Sequence, residues 1–248
     1  MIYAYVLQQA AELLRQVGRP ALSEEYESRA ILVLEAVRKH CYDGQFFTDS
    51  TADIADDQAY SQHCQVFAVL SGAAKPDDHA RLLRDSFSRP SFSKCSYYMK
   101  FYALRAFALA GDDVYEAYWG EVWNPWRQML ANNLSTWEED DVRQRSDCHA
   151  WGSVPLYEYC TELAGIRPIA PGSAKILFKP RLGLSKEIEA KVAVGKDNVA
   201  TVSWSTGENG KMVVKLNLQK AVGVTSKLPG EKEKEHGVVH ELTLAYEV

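Results

Sequence analysis

Apolar residues recur every three or four positions through the first two thirds of the chain, which is the spacing of amphipathic helices. Residues Tyr3–Val17 have this pattern and predict a first helix, ended by a glycine and a proline. Ser23, followed by two glutamates, predicts the N-cap of a second helix that extends to about Cys41. The same spacing predicts further helices over residues 60–73, 76–86, 96–110, 114–132 and 153–164. Because short turns join these helices, they predict antiparallel hairpins.

The pattern changes after Gly165, where prolines and glycines interrupt the helical spacing. Apolar residues alternate with polar ones, or β-branched residues recur, in residues 190–194 and 199–204. A Gly-Lys-Asp-Asn turn separates the two stretches, and together they predict a β-hairpin. Residues 211–218 predict a further strand, and the charged run 231–235 predicts a solvated turn or edge. We therefore expect two domains, a helical one over residues 1–168 and a small antiparallel β domain over residues 169–248.

Composition and charge exclude several classes of protein. With 46% hydrophobic and 25% charged residues, the chain is typical of a globular protein and not of disordered or fibrous ones. No apolar run approaches the roughly 20 residues of a membrane helix, so we expect no membrane association. Residues 1–168 hold 24 acidic and 16 basic residues, which argues against a nucleic-acid partner. The N-terminus has no signal-peptide pattern, and the compartment stays undetermined.

Motifs for cofactors and metals are missing from the sequence. The cysteines are odd in number and have no CxxC spacing, which predicts free thiols at Cys41, Cys64, Cys95, Cys148 and Cys160. An acidic segment over residues 49–57 lacks the glycine and glutamate of a calcium-binding EF-hand loop. Phosphate-binding glycine loops, HExxH and GxSxG are also absent. The sequence therefore predicts neither a cofactor nor a metal ion.

Five of the six tryptophans lie between residues 119 and 151, together with several acids and a histidine. Indole rings stack on the apolar faces of sugars, while carboxylates and imidazole bond to sugar hydroxyls, so this window favours a carbohydrate site. Trp119, Trp123 and Trp126 have the spacing of one helix face, which favours core packing. Trp137 and Trp151 fall in loop-like sequence and are candidates for substrate binding.

Glu138 is the candidate catalytic carboxylate. Glycoside hydrolysis needs one carboxyl group to protonate the leaving oxygen and a second to activate water or attack carbon, and one window supplies one of them. The adjacent acids, residues 139–141, are interpreted as a solvated loop. His149 is a candidate for binding a sugar hydroxyl or orienting the carboxylate, with a structural role as the alternative. Tyr60, Gln62 and His63 are lower-ranked candidates for contacting a sugar in the same cleft.

Six short segments carry a resemblance to a known family. In chain order they are DGQF at 43–46, YSQH at 60–63, YYMKFY at 97–102, TWE at 136–138, RSDCHAW at 145–151 and LAGIRP at 163–168. This series resembles the C-terminal half of bacterial α-L-rhamnosidases of glycoside hydrolase family 78. The sequence after Lys179 and Pro180 resembles that family's C-terminal β-sandwich, so the resemblance covers nearly the whole chain. Its most specific parts are the TWE and SDCHAW segments.

The resemblance implies a fold and an activity. The implied fold is mainly α plus β, a partial (α/α)6 toroid of antiparallel helical hairpins followed by a small antiparallel β-sandwich. The implied reaction is hydrolysis of a terminal α-L-rhamnosyl residue with inversion. Glu138 matches the family's general base, His149 matches a histidine of its sugar subsite, and Trp151 matches the neighbouring aromatic residue.

The family's general acid lies in hairpins that precede anything matched here. We therefore expect the C-terminal portion of a longer enzyme, a split subunit or a truncated product, which is inactive or nearly so when alone. Its toroid-facing side is expected to be an exposed apolar surface that binds an upstream half or a second copy. The alternatives are another (α/α)6 glycosidase or lyase, and a non-catalytic carbohydrate-binding or assembly module.

Overall fold

A computed structural model describes residues 1–51, 60–140, 146–207 and 210–247. It divides into two compact units, Met1–Gly152 and Ser153–Val248. The predicted residues Asp53, Asp56 and Asp57 of the acidic segment, together with Asp141 and Arg145, lie outside the described residues. The first unit is helical and the second contains the sheet, so a mixture of helix and sheet is confirmed.

The first two helices form a hairpin. Helix α1 (Ile2–Gln16) is present as predicted, but the face that it buries consists of Ala4, Leu7 and Ala11 and leaves three residues of the predicted apolar pattern exposed. Helix α2 (Pro20–His40) is longer than predicted at its start, because Pro20 occupies the first helical turn, where a missing N–H costs nothing. The N-cap prediction at Ser23 is therefore wrong. Ser23 lies inside α2, buried, and its hydroxyl donates to the carbonyl of Ala11 over 2.8 Å.

Among the residues that the structure describes, the first unit has five further α-helices: α3 (Gln62–Leu70), α4 (His79–Ser88), α5 (Tyr97–Ala110), α6 (Asp112–Val122) and α7 (Asn124–Ala131). Helix α3 is capped by Ser61, whose hydroxyl accepts from the backbone N–H of Cys64. Three of the five, α3, α4 and α5, begin and end within three residues of their predicted positions. The exception is the single helix predicted over residues 114–132, which is divided at Trp123 into α6 and α7. Pro125 explains the division, since proline removes a helical hydrogen bond and is tolerated in a first turn.

The described residues of the second unit form one more α-helix and six strands. Helix α8 (Val154–Glu158) continues into a wider π-turn over Tyr159–Leu163. The strands are β1 (Ile166–Pro168), β2 (Lys175–Phe178), β3 (Glu187–Ala193), β4 (Val199–Thr206), β5 (Lys211–Ser226) and β6 (Lys234–Glu247). The domain boundary predicted between residues 168 and 169 stays a prediction, and the compact units divide before α8.

All six strands belong to one sheet, which is nearly closed into a barrel. The predicted hairpin is confirmed as the antiparallel pair β3 and β4, with Val192 opposite Ala200. The long strand β5 pairs with β4 along its first half, with β2 near its end and with β6 along its other edge. Because β2 and β5 run parallel, the sheet is mixed, whereas the sequence analysis expected a purely antiparallel sandwich.

Alternating side chains of β4 and β5 form the core of the second unit. Ala200, Val202 and Trp204 point inward from β4, and Val214 and Leu216 are fully buried on β5. This period of two is the one that the sequence showed.

Candidate functional site

Two segments of the first unit, residues 137–139 and residues 146–149, lie side by side. The backbone N–H of His149 donates to the carbonyl of Trp137 over 2.8 Å, and the N–H of Glu139 donates to the carbonyl of Ser146 over 2.8 Å. These bonds bring together the TWE segment and the histidine that the sequence analysis placed in one site. Glu138 therefore directly follows the residue, Trp137, whose carbonyl accepts the hydrogen bond from His149.

Glu138 is buried, with 5% of its surface exposed. The hydroxyl of Tyr97, in the first turn of α5, donates a hydrogen bond to Glu138 Oε1. Burial of a carboxylate is costly unless hydrogen bonds compensate, and Tyr97 supplies one of them. The Tyr97 ring in turn packs edge-on against Trp126, with 4.9 Å between ring centroids. The carboxylate is therefore positioned by a side chain from a helix some forty residues earlier in the chain.

Gly152 lets the two segments approach each other closely. The indole N–H of Trp126 donates to the Gly152 carbonyl over 2.6 Å. A Cβ atom at Gly152 would lie 2.5 Å from the Cβ of Trp137, closer than van der Waals contact allows. A larger residue here would push Trp137 away, so the glycine is a requirement of the site's packing.

Three partly exposed rings, those of His149, Trp151 and Tyr98, lie together and form a wall. The His149 imidazole and the Trp151 indole lie 3.8 Å apart between centroids, tilted by 33°. Trp151 is 37% exposed, and its indole N–H donates to the carbonyl of Glu139 over 3.0 Å. Tyr98, on α5, extends the wall at 5.6 Å from Trp151. Flat apolar faces with polar edges are suited to the alternating C–H and O–H surfaces of a sugar.

Tyr60 belongs to a different aromatic cluster. Its ring stacks on Phe92 at 5.2 Å and meets Phe46 edge-on at 5.9 Å, and its hydroxyl donates to Asp43. Burial opposes ionisation of Asp43, but the hydrogen bond from Tyr60 and the backbone N–H of Phe46 outweigh it and lower the pKa of Asp43. This cluster fixes the Tyr60 side chain in the loop before α3.

His63, in the first turn of α3, is half-buried. Burial lowers the pKa of His63, while the nearby Asp49 carboxylate acts in the opposite direction. Asp49 also accepts from the hydroxyl of Ser61 over 2.7 Å. The predicted roles of Tyr60 and His63 as substrate contacts stay predictions.

A cleft of about 610 Å³ opens beside the site. We call it the Lys100 cleft. It lies where α3, α5 and α7 begin, since the residues around it include Gln62, Ser96, Lys100, Tyr118, Asn124 and Asp140. Asp140 is two residues beyond Glu138, so the cleft reaches the same loop without being lined by the candidate base itself. The ammonium of Lys100 lies 5.6 Å from the ring centroid of Tyr97 and 5.6 Å from that of Trp126.

Sequence reasoning missed the supporting residues of the site. Tyr97 and Lys100 stand in the YYMKFY segment that was quoted for the resemblance, yet no role was assigned to either. Trp126 was correctly placed in the core, at 6% exposed, but its bond to Gly152 was not foreseen. The only available signal for Gly152 was its place directly after Trp151 at the end of the SDCHAW segment.

The cysteines are free thiols, as predicted. Burial raises the pKa of Cys95 to about 12, which keeps this thiol of the Lys100 cleft protonated. Within the described ranges, no three or more His, Cys, Asp and Glu side chains come together in a way that could hold a metal ion. No helix of the described residues has the length and apolarity to cross a bilayer.

Similar folds occur among solved structures. No protein-family model matches this sequence, and no curated protein matches it. The structure of a family 78 rhamnosidase from Bacillus sp. GL1 superposes with a TM-score of 0.80 at 21% identity, over 92% of this chain and 25% of that one. The α-L-rhamnosidase from Dictyoglumus thermophilum gives 0.74 at 15% identity, over 99% of this chain and 31% of that one.

A third structure, Streptomyces avermitilis α-L-rhamnosidase complexed with L-rhamnose, gives a TM-score of 0.71 at 16% identity, over 97% of this chain and 26% of that one. At such identities the likeness shows the fold. The resemblance to family 78 that the motifs predicted is confirmed in this respect, and the chain spans between a quarter and a third of the length of these neighbours.

Proposed function

We propose that this chain is the C-terminal portion of an inverting α-L-rhamnosidase-like glycoside hydrolase, with Glu138 as its general base. In this proposal the helices form part of an (α/α)6 toroid, and a segment equivalent to the earlier part of the neighbouring enzymes supplies the general acid. Trp137, His149 and Trp151 bind the terminal α-L-rhamnosyl residue. Tyr60 and His63 are further substrate contacts.

One observation carries the proposal: Glu138 is buried and held by the Tyr97 hydroxyl, and its segment is bonded through the backbone to His149, whose ring packs against Trp151. A general base must hold one water molecule in line with the anomeric carbon, so its carboxylate has to be fixed in direction. The bond from Tyr97 to Oε1 does this, and Oε2 is the oxygen that we assign to the water. An acidic loop side chain in bulk solvent would lack this constraint.

The reaction follows from this assignment. Water attacks the anomeric carbon from the face opposite the leaving group while Glu138 takes its proton, and the partner acid protonates the glycosidic oxygen. In inverting enzymes the two carboxyl groups lie about 6.5–9.5 Å apart, which leaves room for that water. The rings of His149 and Trp151 are 3.8 Å apart, and they offer a stacking face for the sugar together with an imidazole that can bond to a hydroxyl.

Binding tests the sugar pocket directly. Titration calorimetry with L-rhamnose is expected to show saturable binding to the wild-type chain, about tenfold weaker in His149→Ala because a hydrogen bond and a stacking partner are lost. His40→Ala, at an exposed position on α2, is the matched control and should leave the affinity unchanged. L-Mannose differs from L-rhamnose by a hydroxyl at C6 and tests selectivity for the deoxy sugar. Absence of rhamnose binding to the folded wild type would refute the pocket.

An activity assay tests whether Glu138 is the general base and whether the general acid lies outside this chain. The chain alone is expected to hydrolyse an aryl α-L-rhamnoside at trace rates, since the proposed general acid lies elsewhere. Turnover typical of a complete glycosidase, abolished by Glu138→Gln, would place the acid within this chain and contradict that part of the proposal. Trace turnover that Glu138→Gln leaves unchanged would argue against Glu138 as the base.

The same assays distinguish two alternative functions. Another (α/α)6 glycosidase or lyase predicts preferential turnover or binding of a different sugar, which a panel of aryl glycosides detects. A non-catalytic carbohydrate-binding or assembly module predicts rhamnose binding that Trp137→Ala weakens and Glu138→Gln does not.

A further inference from the structure

A second cavity of the first unit has an apolar floor and a positively charged rim, and we call it the Arg38 pocket. Its volume is about 340 Å³, at the lower end of the range of roughly 300–1,000 Å³ for small-molecule sites. It lies between the last turn of α2, the segment that follows α2 and the first half of α4, and the residues around it include Arg38, Tyr42, Phe47, Lys75, Arg81 and Leu82. No described residue that lines it also lines the Lys100 cleft or belongs to the paired residues 137–139 and 146–149, so it is a separate site.

The floor of the Arg38 pocket is apolar and ordered. Phe47 and Leu82 are 3% and 1% exposed, and two buried alanines, Ala73 and Ala74, also line it. Tyr42 forms one side, with its ring centroid 4.7 Å from that of Phe47, and the two residues pair through a β-bridge. An aromatic surface that is already fixed contributes to the binding of a ring without a further cost of ordering.

Two cations on the rim have no carboxylate partner among the residues that the structure describes. The Arg38 guanidinium donates from Nε to the carbonyl of Ala73 over 3.0 Å and from Nη2 to that of Gly72 over 2.6 Å, so neutral acceptors fix its direction. Lys75 is exposed, and within the described part of the chain its ammonium makes neither a hydrogen bond nor an ion pair. Because Lys75 follows Ala73 by two residues, both charges border the same side of the pocket.

The third cation, Arg81, is balanced within the protein. Its Nη2 lies 3.4 Å from the Asp78 carboxylate, and its Nη1 lies 3.8 Å from that of Asp85. Of the described residues that line the pocket, Asp78 alone carries a carboxylate. The charge that remains on the rim is therefore that of Arg38 and Lys75, and its sign favours an anionic ligand.

We propose that the Arg38 pocket binds a small aromatic carboxylate. The ring of the ligand lies on Phe47 and Leu82 beside Tyr42, and its carboxylate accepts hydrogen bonds from Nη1 of Arg38 and from the Lys75 ammonium. Charge-assisted bonds of this kind are stronger than neutral ones, and the small volume favours one ring with a short side chain. The site goes beyond the proposed function, since its described residues are not those assigned to rhamnose.

Titration calorimetry of the full chain, in a buffer free of carboxylate and phosphate, tests the pocket with three probes. 3-Phenylpropanoate carries the ring and the charge, 3-phenylpropanamide has the same shape without the charge, and inorganic phosphate has a charge without a ring. The acid is expected to bind about tenfold or more tighter than either of the others, because each of them lacks one of the two contacts.

Two variants locate the binding. Lys75→Met retains the aliphatic stem and removes the ammonium, so it should weaken binding of the acid about threefold to fivefold and leave the amide unchanged. Tyr42→Leu removes the aromatic side and should weaken the acid and the amide alike, about threefold to tenfold. Lys196→Met, at an exposed position between β3 and β4, is the matched control and should change neither. Since Lys75 is exposed, its variant should keep the wild-type midpoint of urea unfolding, so that weaker binding reports the lost charge.

Equal affinities for the acid and the amide would overturn the proposal, as would binding of the acid that neither variant weakens. Phosphate binding as tight as that of the acid would also overturn it, because charge alone would then account for the binding. Absence of saturable binding of the acid to the folded chain at millimolar concentrations would do the same. L-Rhamnose binding is expected to be unchanged in both variants, so each of these results leaves the proposed function untouched.

Discussion

At the scale of single residues, the packing of the candidate site depends on a glycine, Gly152. Gly152 has no Cβ, and this lets its backbone lie against Trp137 while its carbonyl accepts from Trp126. The two aromatic side chains are eleven residues apart within the tryptophan-rich window. The position of Trp137, and with it the position of Glu138, is therefore sensitive to one methyl group.

Gly152→Ala is expected to displace Trp137 and to weaken L-rhamnose binding about tenfold or more, because the new methyl group would lie 2.5 Å from the Trp137 Cβ. Overpacking of this kind costs about 1–3 kcal/mol of stability, so urea unfolding should show a loss in this range. Tryptophan fluorescence reports the displaced ring. Gly120→Ala, on α6 with open space around it, is the control and should stabilise slightly if it has any effect. An alanine at 152 with wild-type emission and affinity would contradict the packing argument.

A buried ion cluster of the second unit makes a second residue-scale prediction. Glu162 is fully buried; its Oε2 accepts a hydrogen bond from Nε of Arg181 over 2.8 Å and lies 2.6 Å from Nη2 of Arg167. Arg181 is itself 2% exposed, so its charge has been removed from water. Glu162→Gln is expected to reduce the free energy of unfolding by about 3 kcal/mol, since breaking a buried pair leaves a charge without compensation.

The matched control for Glu162→Gln is Glu233→Gln. Glu233 pairs with Lys227 at 3.8 Å on the surface, where such pairs contribute about 0–1 kcal/mol. Urea denaturation followed by circular dichroism in the far ultraviolet measures both variants. Similar losses for the two would show that the Glu162 cluster contributes no more than a surface pair.

Sequence reasoning chose candidate residues from segments that the structure places side by side, but it did not predict the contacts of those residues. Glu138 and His149 were assigned to one site from short segments, and the structure joins those segments through the backbone. Tyr97 was not assigned, because it lies forty-one positions from Glu138 and nothing in a single sequence reports such a contact. Contacts between distant positions depend on how helices pack, and local pattern does not encode that packing.

At the scale of elements, periodicity predicted the helices and strands whose sequence patterns were strongest. It failed where an element was short or where another local signal pointed to a different structure. The β3–β4 hairpin was predicted because alternation and a turn occur together there. Strands β1, β2 and β6 were not predicted, since β1 and β2 are three and four residues long, and β6 begins inside a charged run that resembles a loop. The Ser23 signal matched an N-cap, but Pro20 begins the helix earlier and the serine hydroxyl bonds across to α1.

This hydrogen bond links the two helices of the first hairpin. Ser23→Ala is expected to lower the free energy of unfolding by about 1 kcal/mol, the contribution of one buried neutral hydrogen bond. The loss would be close to zero if Ser23 served only as a helical residue, because alanine has the higher helix propensity. Ser28→Ala, at an exposed position of the same helix, measures that propensity effect alone. Thermal or urea unfolding of the two variants gives the difference.

At the scale of the whole molecule, one apolar surface of the first unit is uncovered. Ile2, Val6, Leu13 and Val17 are 54%, 53%, 62% and 61% exposed, and their spacing places them along one face of α1. This stripe is distinct from the face of α1 that packs on the rest of the unit through Ala4, Leu7 and Ala11. Exposed apolar stripes of this kind mark surfaces that bind another protein surface.

The spacing of the stripe suits a second copy of the same helix. When a second α1 helix lies alongside in the opposite direction, its Val17 faces Ile2 and its Leu13 faces Val6. Two antiparallel α1 helices related by a two-fold axis would therefore match apolar positions along about 22 Å of helix.

We predict that the isolated chain self-associates through this stripe. Val6→Glu combined with Leu13→Glu places four like-charged side chains in the paired face and should weaken association at least about tenfold. Its effect on monomer stability should stay within about 1 kcal/mol, since both side chains are already exposed. Sedimentation equilibrium from micromolar to millimolar concentrations measures the association. A wild-type chain that remains monomeric over this range would remove the second copy as the occupant of the stripe.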